Sequence, residues 1–211
     1  MITETLRELV PFEEFDYQTL VNALSHYARP RNKISDLLRL QHIIRVKKGL
    51  YIFGPKYRKE PYSREVLANL IYGPSYISLE YALAYYGLIP ECVETVTSIS
   101  SGRSKRFLTP IGLFTYNNVS LPSFQIAVNR IETDNSRSFL IALPEKALAD
   151  KIRFERSGGL STQKQLRDYL CESLRIEAND LRQLDTDLLR SIAGLYRSRR
   201  IKLLSDLIRR L

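Results

Sequence analysis

The tightest constraint on this chain is the run from Arg29 to Phe53, where a helical pattern gives way at once to two strand patterns around a glycine. Ile34, Leu37 and Leu38 recur at i, i+3 and i+4, the buried stripe of a short helix. That stripe leaves Lys33, Ser35 and Arg39 facing away from it. Pro30 suits the first turn of the helix and Asn32 suits an N-cap. Residues 42–46 (HIIRV) and 50–53 (LYIF) then read as strands of β-branched and aromatic residues. Lys47-Lys48-Gly49 joins them as a tight basic turn, and Gly49 can take the positive φ such turns need. A small helix followed by a basic hairpin is the back half of a winged helix-turn-helix. In that motif the helix enters the major groove of duplex DNA and the hairpin touches the backbone or minor groove.

Charge agrees with this reading. Between positions 29 and 59 there are ten Lys or Arg and one acid, Asp36, a local balance of +9 that equals the net charge of the whole chain. The remainder is therefore neutral. Phosphate neutralisation concentrates cations on one module, whereas charge for solubility is spread out. The candidate DNA-binding residues are Arg29, Arg31, Asn32, Lys33, Ser35, Arg39, Lys47 and Lys48. The bland alternative is a solvated basic loop on an ordinary core hairpin.

The 211 residues leave room for one large or two small domains, and 44% hydrophobic with 26% charged residues is ordinary globular composition. No apolar run is long enough to span a membrane, and the first residues lack the apolar core of a secretory signal. Cys92 and Cys171 lie far apart without metal-site spacing, which predicts buried thiols in a reducing cytoplasm. His26 and His42, the only two histidines, both fall in the basic module. No metal, cofactor or catalytic site is expected.

Along the chain, residues 2–9 predict an amphipathic helix ended by Pro11, and Asp16 caps a second helix from Tyr17 to Tyr27. Helix, helix, helix and hairpin make a module of residues 1–60, closed by the Gly- and Pro-bearing linker from Gly54 to Pro61. Residues 61–211 predict a second, mixed α+β domain, so the fold class is α+β. Ser63 and Ser78 cap its first two helices, and Tyr76-Ile77 is a very short strand. Strand patterns follow at 94–100, 105–111, 113–119, 124–130 and 137–143, with turns that include Asp134-Asn135. Pro144 opens another helix, which Ser157-Gly158-Gly159 ends, and residues 161–211 are mainly helical. In the last helix Ile201, Leu204, Leu207 and Ile208 face inward. Arg197, Arg199, Arg200, Arg209 and Arg210 form either a second phosphate-contacting surface or a solvated outer face.

Three features together resemble the AbiEi-type antitoxins of abortive-infection toxin–antitoxin systems. They are the hairpin ending KKGLY (47–51), SLEYALAYYGLIPE (78–91) after YGPSY (72–76), and PEKALAD (144–150) after an apolar strand. The resemblance covers about residues 17 to 160 and implies an N-terminal winged helix joined to a C-terminal antitoxin domain. It implies a non-enzymatic repressor that binds double-stranded operator DNA of its own operon and counteracts a nucleotidyltransferase-like toxin. A solitary winged-helix transcriptional regulator is the alternative.

Two other chemistries have residues to draw on. Glu145, Lys146, Asp150 and Lys151 carry the residue types of a metal-dependent nuclease. Five positions apart on a helix, however, Glu145 and Asp150 are poorly placed to share an ion, and charge decoration of the helix is the plainer account. Tyr76, Tyr81, Tyr85 and Tyr86 could stack bases, but helical spacing favours packing roles.

Overall fold

The structure, a computed structural model, describes residues 2–133, 137–156 and 160–211. The turn expected at Asp134-Asn135 and the helix end expected at Ser157-Gly158-Gly159 lie outside the described residues. The fold is α+β, with a three-stranded sheet near the N-terminus and a six-stranded mixed sheet after it.

The first sheet is built around the basic run. Helix α1 (Ile2–Leu9) leads into β1 (Glu14–Asp16), a strand too short and too acidic for alternation to reveal. Asp16 caps α2 (Tyr17–Ala23) by accepting from the Thr19 N–H at 2.8 Å, as its position predicts. That helix stops short of Tyr27, because the Leu24 N–H is shared between i−4 and i−3 carbonyls, and Ser25 and Tyr27 continue it only as i→i−3 turns. Helix α3 (Pro30–Arg39) follows, then β2 (Ile43–Lys47) and β3 (Leu50–Phe53) in the antiparallel order β1-β3-β2. Gly49 takes φ +87° in the turn.

Strand β3 is buried on both faces, and that decides how the module sits. Successive side chains of a strand point to opposite sides. Tyr51 and Phe53 join Leu6, Phe15, Leu20 and Ile34 in a small core, while Leu50 and Ile52 join the large core of the second sheet. The segment from Gly54 to Pro61 is pinned as well. Glu13 Oε1 accepts from the N–H groups of Lys59 and Glu60, each at 3.1 Å, and Arg58 lies over the Tyr62 ring. A Cβ on Gly54 would overlap the Gln41 carbonyl oxygen, so only glycine fits there.

The second sheet runs β6-β7-β5-β4-β9-β8. Its strands are β4 (Ser75–Ile77), β5 (Val96–Ser100), β6 (Lys105–Thr109), β7 (Gly112–Asn118), β8 (Val128–Glu132) and β9 (Ser138–Ala142). Helix α4 (Arg64–Ile71) is capped by Ser63 as expected, and α5 (Leu79–Tyr85) ends at Gly87. The strand expected over 124–130 begins only at Val128, as β8, and its first two residues belong instead to a short helix, α6 (Leu121–Gln125), because Pro122 sits in its first turn and favours helix entry. Helix α7 (Pro144–Phe154) precedes α8 (Gln163–Asp168), a π-helical turn at Tyr169–Ser173, α9 (Ala178–Gln183), α10 (Thr186–Tyr196) and α11 (Arg199–Ile208).

Helices cover both faces of this sheet. On neighbouring β5 residues, Ile99 pairs with Tyr76 and Ser98 with Tyr116, so the two tyrosines point to opposite sides. Tyr116 donates to the Ala68 carbonyl of α4 at 2.6 Å, and Tyr76 donates to Asp150 of α7 at 3.2 Å. One face therefore carries α4 and the other α7, with α10 and α11 packed on α7. Among the described residues no helix is long and apolar enough to cross a membrane.

Candidate nucleic-acid interface

Helix α3 buries Ile34 and Leu37 and turns the opposite side to solvent. Arg29, Arg31, Asn32, Ser35 and Arg39 are exposed, and Lys33 is half-buried with its ammonium 5.6 Å from the Tyr27 ring. Asn32 is not the N-cap. Arg29 holds that position with no side-chain hydrogen bond, and Pro30 fills the first turn as expected. The first-turn N–H groups of α3 thus lack a side-chain cap, the condition that suits an anion. A hollow of about 460 Å³ opens there, lined by Tyr17, Val21, Arg29, Arg31 and Asn32 among others. Ser35 Oγ donates to the Arg31 carbonyl at 3.1 Å, and Arg39 lies 3.4 Å from Asp36 in an exposed pair.

The hairpin turn is tied to this helix start through one residue. The Tyr17 N–H donates to the Gly49 carbonyl at 2.9 Å, and Tyr17 also lines the hollow. Lys48 is exposed at the turn. Lys47 departs from the sequence expectation of a phosphate contact. A register shift between Arg45 and Lys47 turns it inward, and its ammonium donates to the Ile71 carbonyl at 2.5 Å beside the Phe107 ring. The outward cations of the hairpin are Lys48 and Arg45, and Arg45 escaped the sequence reading because a bulge cannot be seen in residue types.

Three of the five C-terminal arginines share one hollow. Arg197, Arg199 and Arg200 line a hollow together with Arg153 and Arg156, which the sequence reading did not single out. Arg209 and Arg210 sit at the other end of α11, near Asp206 at 3.8 Å and Gln163 at 3.1 Å.

The charged residues of PEKALAD are not surface decoration. Lys146 and Asp150 are fully buried and paired at 2.5 Å. Asp150 Oδ1 also accepts from the Tyr196 hydroxyl, and Oδ2 accepts from Ser78 Oγ at 2.6 Å and from Tyr76. Ser78 spends its hydroxyl here and makes no side-chain cap on α5, against expectation. Burial holds Lys146 below the ordinary lysine value, although the Asp150 charge pulls the other way. Burial, then the Asp150 charge, pushes the Tyr76 and Tyr196 hydroxyls up. Four donors fill the acceptor capacity of the Asp150 carboxylate, which leaves it no lone pair for a metal. Glu145 accepts from the Asp185 N–H at 3.0 Å, and Lys151 bridges Glu80 and Glu155 at 2.8 and 2.9 Å. Among the described residues no cluster of three His, Cys, Asp or Glu could hold a metal ion. Of the tyrosines considered for base stacking, Tyr76 is in this cluster and Tyr81 donates to Glu65. Tyr85 is exposed but packs on Phe139 and Tyr86, whose hydroxyl burial pushes up to about 12. Both cysteines are exposed free thiols, where burial was expected.

No protein-family profile matches this chain, and no curated protein matches it.

Proposed function

We propose that residues 1–60 are a winged helix that binds operator DNA, with α3 in the major groove and the β2–β3 turn as its wing. The observation that supports this reading is the element order α1-β1-α2-α3-β2-β3 with sheet order β1-β3-β2, in which Tyr17 links the β2–β3 turn to the start of α3. Arg29 and the uncapped start of α3 meet phosphate, while Arg31, Asn32, Lys33, Ser35 and Arg39 reach base edges. The resemblance to AbiEi-type antitoxins extends the reading. The protein represses its own operon, and residues 61–211 counteract a nucleotidyltransferase-like toxin.

The test is titration of the full chain with its upstream duplex and with a scrambled duplex over a range of salt. Arg31→Ala and Arg39→Ala are each expected to cost about 1–3 kcal/mol on the upstream duplex and to reduce its preference over the scrambled one. Equal binding of both duplexes by the parent protein would refute a specific repressor. Growth rescue from the adjacent toxin gene by the full chain carrying Arg31→Ala and Arg39→Ala tests the antitoxin half separately from DNA binding.

A further inference from the structure

The hollow between the end of α7 and the α10–α11 corner is built for an anion. Its volume is about 610 Å³, and Arg153, Arg156, Arg197, Arg199 and Arg200 line it beside Tyr196. An adjoining hollow of about 590 Å³ shares Arg199 and Arg200 and adds Lys202. The two carboxylates on these walls are already engaged. Glu155 accepts from Lys151 and Tyr169, and Asp206 pairs with Arg209. Arg153, Arg156, Arg197 and Arg199 are exposed, and none of their guanidinium groups makes a hydrogen bond or ion pair among the described residues.

The first turn of α11 runs against the helix dipole. Helix α11 starts at the hollow with Arg199 and Arg200 in its first turn and no acid there. The positive end of a helix favours acids, so these cations repel both it and one another. Arg197, just before the cap, closes α10 in the left-handed conformation common at helix ends, at φ +48°, and adds a third cation at this corner. An anion at this helix start would relieve that repulsion.

The walls are also held rigid. Arg200 Nη1 donates to the Glu155 carbonyl at 3.1 Å, and Ser205 Oγ ties α11 to the Thr186 carbonyl at 3.0 Å. The Tyr196 hydroxyl is locked into the buried Asp150 and Lys146 cluster. Of the five guanidinium groups only that of Arg200 is held in place; the other four are free to turn their forks onto phosphate oxygens, and the volume suits a ligand of nucleotide size.

We infer that this hollow binds a compact polyphosphate, such as the phosphate chain of a nucleoside triphosphate. It lies on the α7 face of the large sheet, whereas Lys47 docks the N-terminal hairpin onto α4 on the other face. The site is therefore separate from the proposed operator interface.

The full chain should be titrated with sodium tripolyphosphate, with ATP and with the upstream duplex, at about physiological salt where loose phosphate contacts are screened. Tripolyphosphate and ATP are expected to raise Tm and to compete with each other. The double variant Arg153→Gln/Arg199→Gln should lose roughly tenfold or more in affinity for both and leave duplex binding unchanged. Without ligand the double variant should melt no lower than the parent, since it removes repulsion. Arg156→Gln, outside the helix start, should weaken both probes as well. No Tm shift with tripolyphosphate, or an equal shift in the double variant, overturns the proposal. So does a double variant that loses duplex binding alone, which would make the hollow a contact for the nucleic-acid backbone.

Discussion

Asp150 shows most plainly how one residue's role depends on its surroundings. In the sequence it is one charge among four on a helix, but in the fold it anchors α7, β4 and α10 through Lys146, Tyr76, Ser78 and Tyr196. A buried pair broken on one side leaves an uncompensated charge. Lys146→Met alone should therefore lower stability by about 3–5 kcal/mol in urea unfolding, and Lys146→Met/Asp150→Leu by clearly less. Equal losses in the single and double variants would refute this. Glu14 offers a pH-dependent counterpart. Burial raises its carboxyl above the ordinary value of 4.5, and the Ser63 N–H and Arg137 offset this only in part. The folded state keeps that proton to higher pH than the unfolded chain, so the stability Glu14 contributes falls as pH rises through the window above 4.5. Glu14→Gln removes the dependence. The urea midpoint of the variant should gain on that of the parent as pH rises through that window, and a constant difference would contradict the assignment.

Among the elements, the hairpin separates two lysines that the sequence treats alike. Lys48 is exposed, and Lys47 donates to Ile71 on α4. Lys48→Ala should weaken binding to every duplex alike and reduce the salt dependence by about one unit. Lys47→Ala should leave that slope unchanged and instead lower Tm, because the Ile71 carbonyl loses its donor. The reverse pattern in salt titration and melting would overturn the distinction. Elements with strong periodicity or caps were legible in advance, namely α3, α4, α7 and α11, as were β2 and β3. Others were not. Strand β1 has three residues and two of them are acids, and α6 takes the start of an expected strand in a segment whose apolar residues fit either period.

For the whole molecule, the pinned segment from Gly54 to Pro61 and the two-sided burial of β3 bear on independence of the modules. Residues 1–60 taken alone would expose Val46, Leu50 and Ile52, which belong to the large core. That fragment should melt well below the full chain and bind a hydrophobic dye, while the full chain unfolds in one transition. Two separated transitions, the lower matching the fragment, would contradict this. The sequence alone determined the α+β class, the caps at Asp16 and Ser63, the turn at Gly49 and the concentration of cations between Arg29 and Lys59. These follow from local chemistry, since period, cap geometry and charge need only near neighbours along the chain. Only tertiary structure decided that Lys47 faces inward, that Asp150 gathers four donors, and that Arg153 meets Arg199 across a hollow. Each of these depends on residues far apart in sequence that packing brings together, and no period or spacing along the chain records that.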